Sequence, residues 1–477
     1  MTKQYTWVYA CILLLVGFTL YVLKINHTAG IDEIITFFKY TRSSSDILLY
    51  DAPNNHILHS FLVWLSTSLM GNSLLAIRLP AFTAGIISLA LLYRLGTRWL
   101  NHYVGLIAML LMLITISFVS YTLEGRGYTL TILFTILIIE NIILGKDSTK
   151  SDLRAFFLSL GIILTMPSNV YLIVPIIGWY FIIGWHLKET IYFKKSIPYF
   201  LSLILGTAFY IVLVIWALPN GLNESFSVGH KNLKGFIYQT LRMLFVNPSL
   251  SIVLFGIFIW GVLTALQKYR QINFFLIAVI IGGAIVFSAL QGIVTHKFFF
   301  PRNFLYLLPL VCLIGAVGIH RLALFHANLT AISIFAVFII GLWGIHSTVL
   351  NPNVRYILKK IEEYALDNDI LFVAPGYYEP VYYHIHVQKE LDRDYFMPSS
   401  ESDRFIIILD MEDTNSMIEL HGLDPYISEC GEESWGALTV ATCNIVNQPY
   451  TRDESKCYSS IYPFWQKCFD EDGTLNE

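Results

Sequence analysis

Eleven apolar runs, most of a length suited to a hydrocarbon core of roughly 30 Å, dominate the chain. They fall near Tyr5–Lys24, Pro80–Arg98, Val104–Val119, Gly127–Leu144, Ala155–Met166, Val170–Trp185, Pro198–Leu218, Ser249–Gln267, Phe274–Leu290, Asn303–His320 and Ala331–His346. Inside a bilayer every backbone N–H and C=O has to be satisfied within the protein, so runs of this kind fold as helices. The expected body is therefore an α-helical polytopic membrane protein of about eleven spans. Ala155–Met166 is short and stops at Pro167, which predicts a tilted or partly inserted helix there.

Charge divides the 477 residues in two. Residues 1–349 hold 22 Lys and Arg against ten acids, a balance of +12, whereas residues 350–477 hold nine against 24, a balance of −15. Two domains follow, a membrane body over 1–349 and a soluble tail over 350–477. Threading the spans from a cytoplasmic start leaves Lys3, Arg94, Arg98, Lys146, Lys150, Arg154, Lys188, Lys194, Lys195, Lys268, Arg270 and Arg321 on the inside in short segments, in keeping with the positive-inside bias. An odd number of spans then puts the tail on the extracytoplasmic side of the inner (plasma) membrane. A tail this acidic excludes nucleic acid and anionic membrane surfaces as its partners.

The tail reads as a small α/β domain. Val354 to Leu366 has helical periodicity, and Asp369–Ala374 and Arg404–Asp410 read as buried strands. Cys430, Cys443, Cys457 and Cys468 lie in the last fifty residues, where an oxidising compartment would allow two disulfides in any of three pairings. Cys11 and Cys312 lie in apolar runs and read as packing residues.

Of the ten acids in the body, Asp32, Glu33, Asp46 and Asp51 fall within twenty positions. They follow the first span, in a loop of about fifty residues that is far longer than a connector needs. A carboxylate at a bilayer surface is costly to desolvate, and one that stands there usually binds a cation or handles a proton. Two stretches of the loop look helical and amphipathic, Ile34 to Tyr40 and Ile57 to Leu65. Asp51-Ala-Pro-Asn-Asn-His56 between them is turn chemistry. Arg126, His296, Lys297 and Arg302 lie at the outer ends of three different spans, suited to converge on one anionic group.

In order along the chain stand the acid pair, Pro53-Asn-Asn-His56, Arg78-Leu-Pro-Ala-Phe-Thr-Ala-Gly85, Tyr121-Thr-Leu-Glu-Gly-Arg126-Gly-Tyr128, and Pro301-Arg302-Asn303-Phe304 with Pro309. This order resembles the GT-C glycosyltransferases. More narrowly, the chain is similar over roughly residues 1–350 to the bacterial and archaeal relatives of dolichyl-phosphate-mannose protein mannosyltransferases and of the lipid A aminoarabinose transferase. Asn-Asn-His replaces a motif more often written His-Pro-Pro, a departure that leaves the role of His56 open.

The resemblance implies transfer of a sugar from a polyprenyl-phosphate donor to an extracytoplasmic acceptor, a protein, lipid or glycan, with inversion at the anomeric carbon. Asp32 matches the first acid of the family's pair and is the expected general base, with Glu33 orienting the acceptor or holding a cation. An acceptor hydroxyl is a poor nucleophile at neutral pH and needs such a base. Arg126, His296, Lys297 and Arg302, with His56 and Arg78, are the expected donor-phosphate and substrate contacts, since fixed cations stabilise a phosphate whose charge grows as the glycosidic bond breaks. No cofactor is expected; a divalent cation is compatible with His56, His59 and the acids but is not predicted. The alternative class is a transporter or lipid-carrier flippase, which would show two related halves and midplane polar residues. No such repeat is visible.

Overall fold

The computed structural model describes residues 3–50, 55–145, 148–217, 272–295, 301–325, 352–364, 369–373, 404–409, 427–435 and 438–445, together with 240, 243–244, 256–263, 328, 334–335, 338–339, 341–345 and 383–384. The chain divides into two compact units. One comprises Met1–His27 with Thr36–Thr348, the other Thr28–Ile35 with Val349–Glu477. The segment carrying Asp32 and Glu33 thus groups with the tail.

The first unit is helical. Its described helices are α1 (Lys3–Lys24), the greater part of α2 (Ile31–Tyr40), α3 (Ile57–Met70), α4 (Leu74–Trp99), α5 (His102–Leu113), α6 (Ile116–Leu123), α7 (Tyr128–Leu144), α8 (Thr149–Thr165), α9 (Val170–Leu187), α10 (Thr190–Ala217), α11 (Ile272–Thr295) and α12 (Leu308–Phe325), with a 3-10 helix at Pro301–Leu307 leading into α12. Among the described residues six helices are long and apolar enough to cross a membrane, or seven if α5 and α6 form one span bent by 65°. This is fewer than the eleven expected. The α7 and α8 helices have only 17 residues each, and the first turn of α8 is polar. The runs at 249–267 and 331–346 fall largely outside the described residues.

Local chemistry sets the helix ends. Ser73 caps α4 by accepting the Ala76 N–H, and Asn101 Oδ1 accepts from Tyr103 N and Val104 N at the head of α5. Pro167 ends α8, as its sequence implies. Pro80 lies inside α4, where its missing N–H deprives the Ala76 carbonyl of a helical partner. The Ser66 hydroxyl of α3 donates to that carbonyl at 2.6 Å, so the proline is accommodated and α3 is bound to α4 together.

The α4 helix packs against α3, α5, α6 and α7, while α7 packs in turn against α8 and the 3-10 helix at Pro301–Leu307. Close approach at the α4–α6 crossing depends on Gly85, where a Cβ would lie 2.5 Å from Thr122 Cγ2. These contacts bring the head of α7, the head of α3 and Arg302 into one neighbourhood.

The described part of the second unit contains the first turn of α2, helix α13 (Pro352–Tyr364), and four strands: β1 (Asp369–Val373), β2 (Arg404–Leu409), β3 (Ile427–Trp435) and β4 (Leu438–Ile445). They form one sheet in the order β1-β2-β4-β3. The β1–β2 pair is parallel and the other two pairs are antiparallel. Both strands read from the sequence are present at nearly the same bounds. Cys430 and Cys443 occupy facing register positions on β3 and β4, while Cys457 and Cys468 lie outside the described residues. Cys312 is buried, and Cys11 is exposed on α1.

Candidate functional site

The loop between α6 and α7 is the centre of the polar core in the first unit. Arg126 N donates to Glu124 O at 2.7 Å, a tight turn that carries the Arg126 side chain inward. There the guanidinium is almost fully enclosed, at 1 % relative exposure. One terminal nitrogen donates to Thr36 Oγ1 on α2 at 2.6 Å, and the other lies 3.5 Å from His56 Nε2. The face of Tyr128 lies 6.0 Å from the guanidinium carbon, and Tyr121 packs on Tyr128 in turn.

His56 is placed by the next residue of the same loop. Gly127 N donates to His56 Nδ1 at 3.0 Å, and only a glycine permits this approach, because a Cβ at 127 would meet Nδ1 at 2.9 Å and Thr165 Cγ2 at 2.9 Å. A backbone N–H can only donate, so Nδ1 carries a lone pair and the neutral ring holds its proton on Nε2. The ring stays neutral: burial first, then the charges of Arg126, His59 and Arg302, hold its pKa well below the usual imidazole value. The Nε2–H and the Arg126 guanidinium are therefore two donors side by side, an arrangement that suits a shared oxyanion acceptor.

Arg302 is half-buried in the 3-10 helix at Pro301–Leu307 and lies close enough for its charge to act on His56. The structure thus gathers His56, His59, Arg126 and Arg302 from three separate parts of the sequence. His296 and Lys297 lie outside the described residues.

Arg78 sits elsewhere in the polar core. It is fully buried, and one of its nitrogens donates to Ile25 O at 2.5 Å and His27 O at 2.7 Å, closing the chain exit from α1. Its other nitrogen lies 3.5 Å from His27 Nδ1, and His27 Nε2 is 3.2 Å from Leu123 O at the end of α6. A carbonyl can only accept, so His27 donates from Nε2 and accepts from Arg78 at Nδ1. Arg78 and His27 together brace the turn that presents Arg126.

The acid pair opens α2, where the helix dipole favours a carboxylate. Within the second unit, Glu33 is buried and its Oε2 accepts Gly30 N at 3.2 Å, a cap on its own helix. Asp32 is half-buried beside it. The segment entering α2 is held by the tail, as Ala29 N donates to Nε2 of the buried His384 at 2.9 Å. Among the described residues no group of three or more His, Cys, Asp or Glu side chains is arranged to hold a metal ion.

Sequence reasoning missed Thr36, Gly127, His27 and His384. Thr36 follows the acid pair by one helical turn, and a glycine directly after a candidate arginine is a cue for close backbone approach. For His27 and His384 no local signal exists, since their partners are 51 or more residues away.

The dolichyl-phosphate-mannose-protein mannosyltransferase family matches residues 51–216, a stretch containing His56, His59, Arg78, Arg126 and Gly127. No curated protein sequence matches the chain. Among solved structures, ArnT from Cupriavidus metallidurans in the apo state superposes with a TM-score of 0.62 at 10% identity, covering 93% of this chain and 99% of that one. The same protein bound to undecaprenyl phosphate gives 0.59 at 12% identity, covering 94% and 99%. The archaeal oligosaccharyltransferase AglB from Archaeoglobus fulgidus, in complex with an inhibitory peptide and a dolichol-phosphate, gives 0.51 at 10% identity, covering 94% of this chain and 76% of that one. The resemblance read from the sequence is borne out: residues 51–216 match the dolichyl-phosphate-mannose-protein mannosyltransferase family, and the chain shares the fold of ArnT and AglB.

Proposed function

We propose that the chain is an inverting membrane glycosyltransferase that moves a sugar from a polyprenyl-phosphate carrier to an extracytoplasmic acceptor. The observation carrying this reading is the pair of donors formed by Arg126 and the neutral His56, with Arg302 nearby. A phosphoryl oxygen between them is shared by a guanidinium and an imidazole N–H, both desolvated and therefore strong. ArnT and AglB, whose fold this chain has, are solved with polyprenyl phosphates bound.

In the step that follows, the Asp32 carboxylate takes the proton of the acceptor hydroxyl while its oxygen forms a bond to the anomeric carbon from the face opposite the phosphate. The bond from that carbon to the phosphate oxygen breaks, and its electron pair leaves with the polyprenyl phosphate. Negative charge on the leaving oxygen grows toward the transition state, so the preorganised donors at Arg126, His56 and Arg302 stabilise that state more than the ground state. Glu33 caps α2 and orients its neighbour. The tail, through His384, holds the segment that carries Asp32.

Transfer assayed in detergent micelles with a polyprenyl-phosphate sugar tests the proposal. Asp32→Asn, purified with an unchanged melting profile, is expected to lose about 100-fold or more of the rate, the contribution of a positioned general base. Unchanged turnover in that variant would remove Asp32 from the mechanism.

A further inference from the structure

The far end of α7 carries a second charged cluster that takes no part in the proposed chemistry. Glu140, nearly buried on α7, receives Arg94 of α4 at 2.5 Å, Arg154 of α8 at 3.5 Å and Arg98 of α4 at 3.7 Å. The helices under it are locked together. Asn141 Nδ2 donates to Ser151 O at 3.1 Å and Asn141 Oδ1 accepts from Ser151 Oγ at 3.2 Å, which fixes the head of α8 to the end of α7.

One carboxylate offers about four lone-pair sites, whereas three guanidiniums present about fifteen N–H donors. The group therefore keeps a net charge of +2, and Arg94 Nε is buried with no hydrogen-bond partner. The outer parts of the arginines face the surroundings: their side chains are 41 %, 61 % and 45 % exposed for Arg94, Arg98 and Arg154. Beside Arg154 on α8, Leu153 and Phe157 are exposed at 53 % and 62 %. On a tilted or partly inserted helix, as the sequence leads one to expect for α8, exposed large apolar groups meet acyl chains, so cationic donors and a hydrocarbon contact lie side by side. Basic pockets between transmembrane helices recognise lipid headgroups by this combination.

We propose that Arg94, Arg98 and Arg154, arranged by Glu140, form a binding site for the phosphate of an anionic bilayer phospholipid at the membrane surface opposite the Arg126 site. Under the threading read from the sequence this is the cytoplasmic leaflet. Glu140 holds the three guanidiniums in place and sets their spacing, while the lipid phosphate supplies the acceptors that a single carboxylate lacks. Leu153 and Phe157 distinguish a lipid from a free anion.

Native mass spectrometry of the full chain tests this, with phosphatidylglycerol, phosphatidylcholine or inorganic phosphate added separately. Wild-type protein is expected to retain phosphatidylglycerol at least about tenfold over phosphatidylcholine, and millimolar inorganic phosphate is expected not to displace it. Arg98→Gln with Arg154→Gln, which leaves the Arg94–Glu140 pair intact, is expected to abolish that preference while transfer activity persists. Should the double variant fail to fold, the wild-type preference measured from low to high salt serves instead, and it is expected to fall steeply. Equal retention of both lipids, displacement by inorganic phosphate, an undiminished preference in the double variant, or a preference indifferent to salt would each overturn the proposal.

Discussion

The two ends of α7 hold their arginines in opposite ways. At its head, Arg126 is buried, donates to the Thr36 hydroxyl and lies beside the N–H of a neutral imidazole. At its tail, three half-exposed arginines surround one nearly buried carboxylate. In the first arrangement the protein positions a cation in a desolvated pocket and keeps its neighbour uncharged, which suits an anion that arrives and leaves. In the second, charges are neutralised in place and the excess is left at the surface. Low dielectric strengthens the first, and solvent screening weakens the second.

The largest expected break in this contrast is at the head. Arg126→Gln should lower the rate of transfer by about 100- to 1000-fold, the usual loss when one preorganised donor to a developing oxyanion is removed. A rate within a few-fold of wild type would make that pocket structural. Gly127→Ala should then act through position alone, since its methyl group must displace either the His56 ring or Thr165. The expected cost is about 1–3 kcal/mol of stability, read as a lower melting temperature, with a lower rate as well. A neutral effect would mean that the His56–Gly127 contact is not fixed.

The pH dependence sharpens the same contrast. His56 has a folded pKa depressed well below 6.5, so its neutral form contributes stability in full above the unfolded value. That contribution is lost as pH falls below about 6.5, by at most about 1.4 kcal/mol per pH unit, because the unfolded chain takes up the proton and the folded chain does not. Melting curves between pH 5 and 7.5 should show this slope in wild type and a shallower one in His56→Gln. The smallest effect is expected at the other end. Glu140→Gln releases three arginines that water already screens, so the loss should be about 1 kcal/mol and should leave the rate nearly unchanged.

How much of this was legible in the sequence follows from the range of the interactions. Hydropathy marks most spans because each helix is apolar along its own length, and Pro167 marks the end of α8 because a missing N–H acts locally. The break between α5 and α6 carries a weaker mark: neither proline nor glycine stands at Ile114-Thr115, where the Thr115 hydroxyl donates to Leu111 O at 2.7 Å. Arg126 and Arg302 were visible as cations at span ends, and His56 through its place in a motif. Their placement at the outer ends of different spans suggested convergence, but the distances and the partners Thr36 and Gly127 were not legible, because they depend on helix packing between segments distant in sequence. Arg78, expected at the donor phosphate, also bonds the exit of α1 through Ile25 O and His27 O, a use that its position ahead of the second span does not reveal. Glu140 read as one acid in an apolar run, and the arginines around it read as topological signals, since i,i+4 spacing on α4 says nothing of α7 or α8.

The central claim is that a polyprenyl phosphate sits at the head of α7, and photo-crosslinking tests it most directly. A polyprenyl phosphate with a photoreactive group next to its phosphate, bound to the purified chain and mapped by peptide sequencing, should label residues in 55–60, 121–128 and 301–304. Unlabelled polyprenyl phosphate should compete that labelling away. Competed labelling that leaves these three segments untouched and appears only around Arg94, Glu140 and Arg154 would contradict the account.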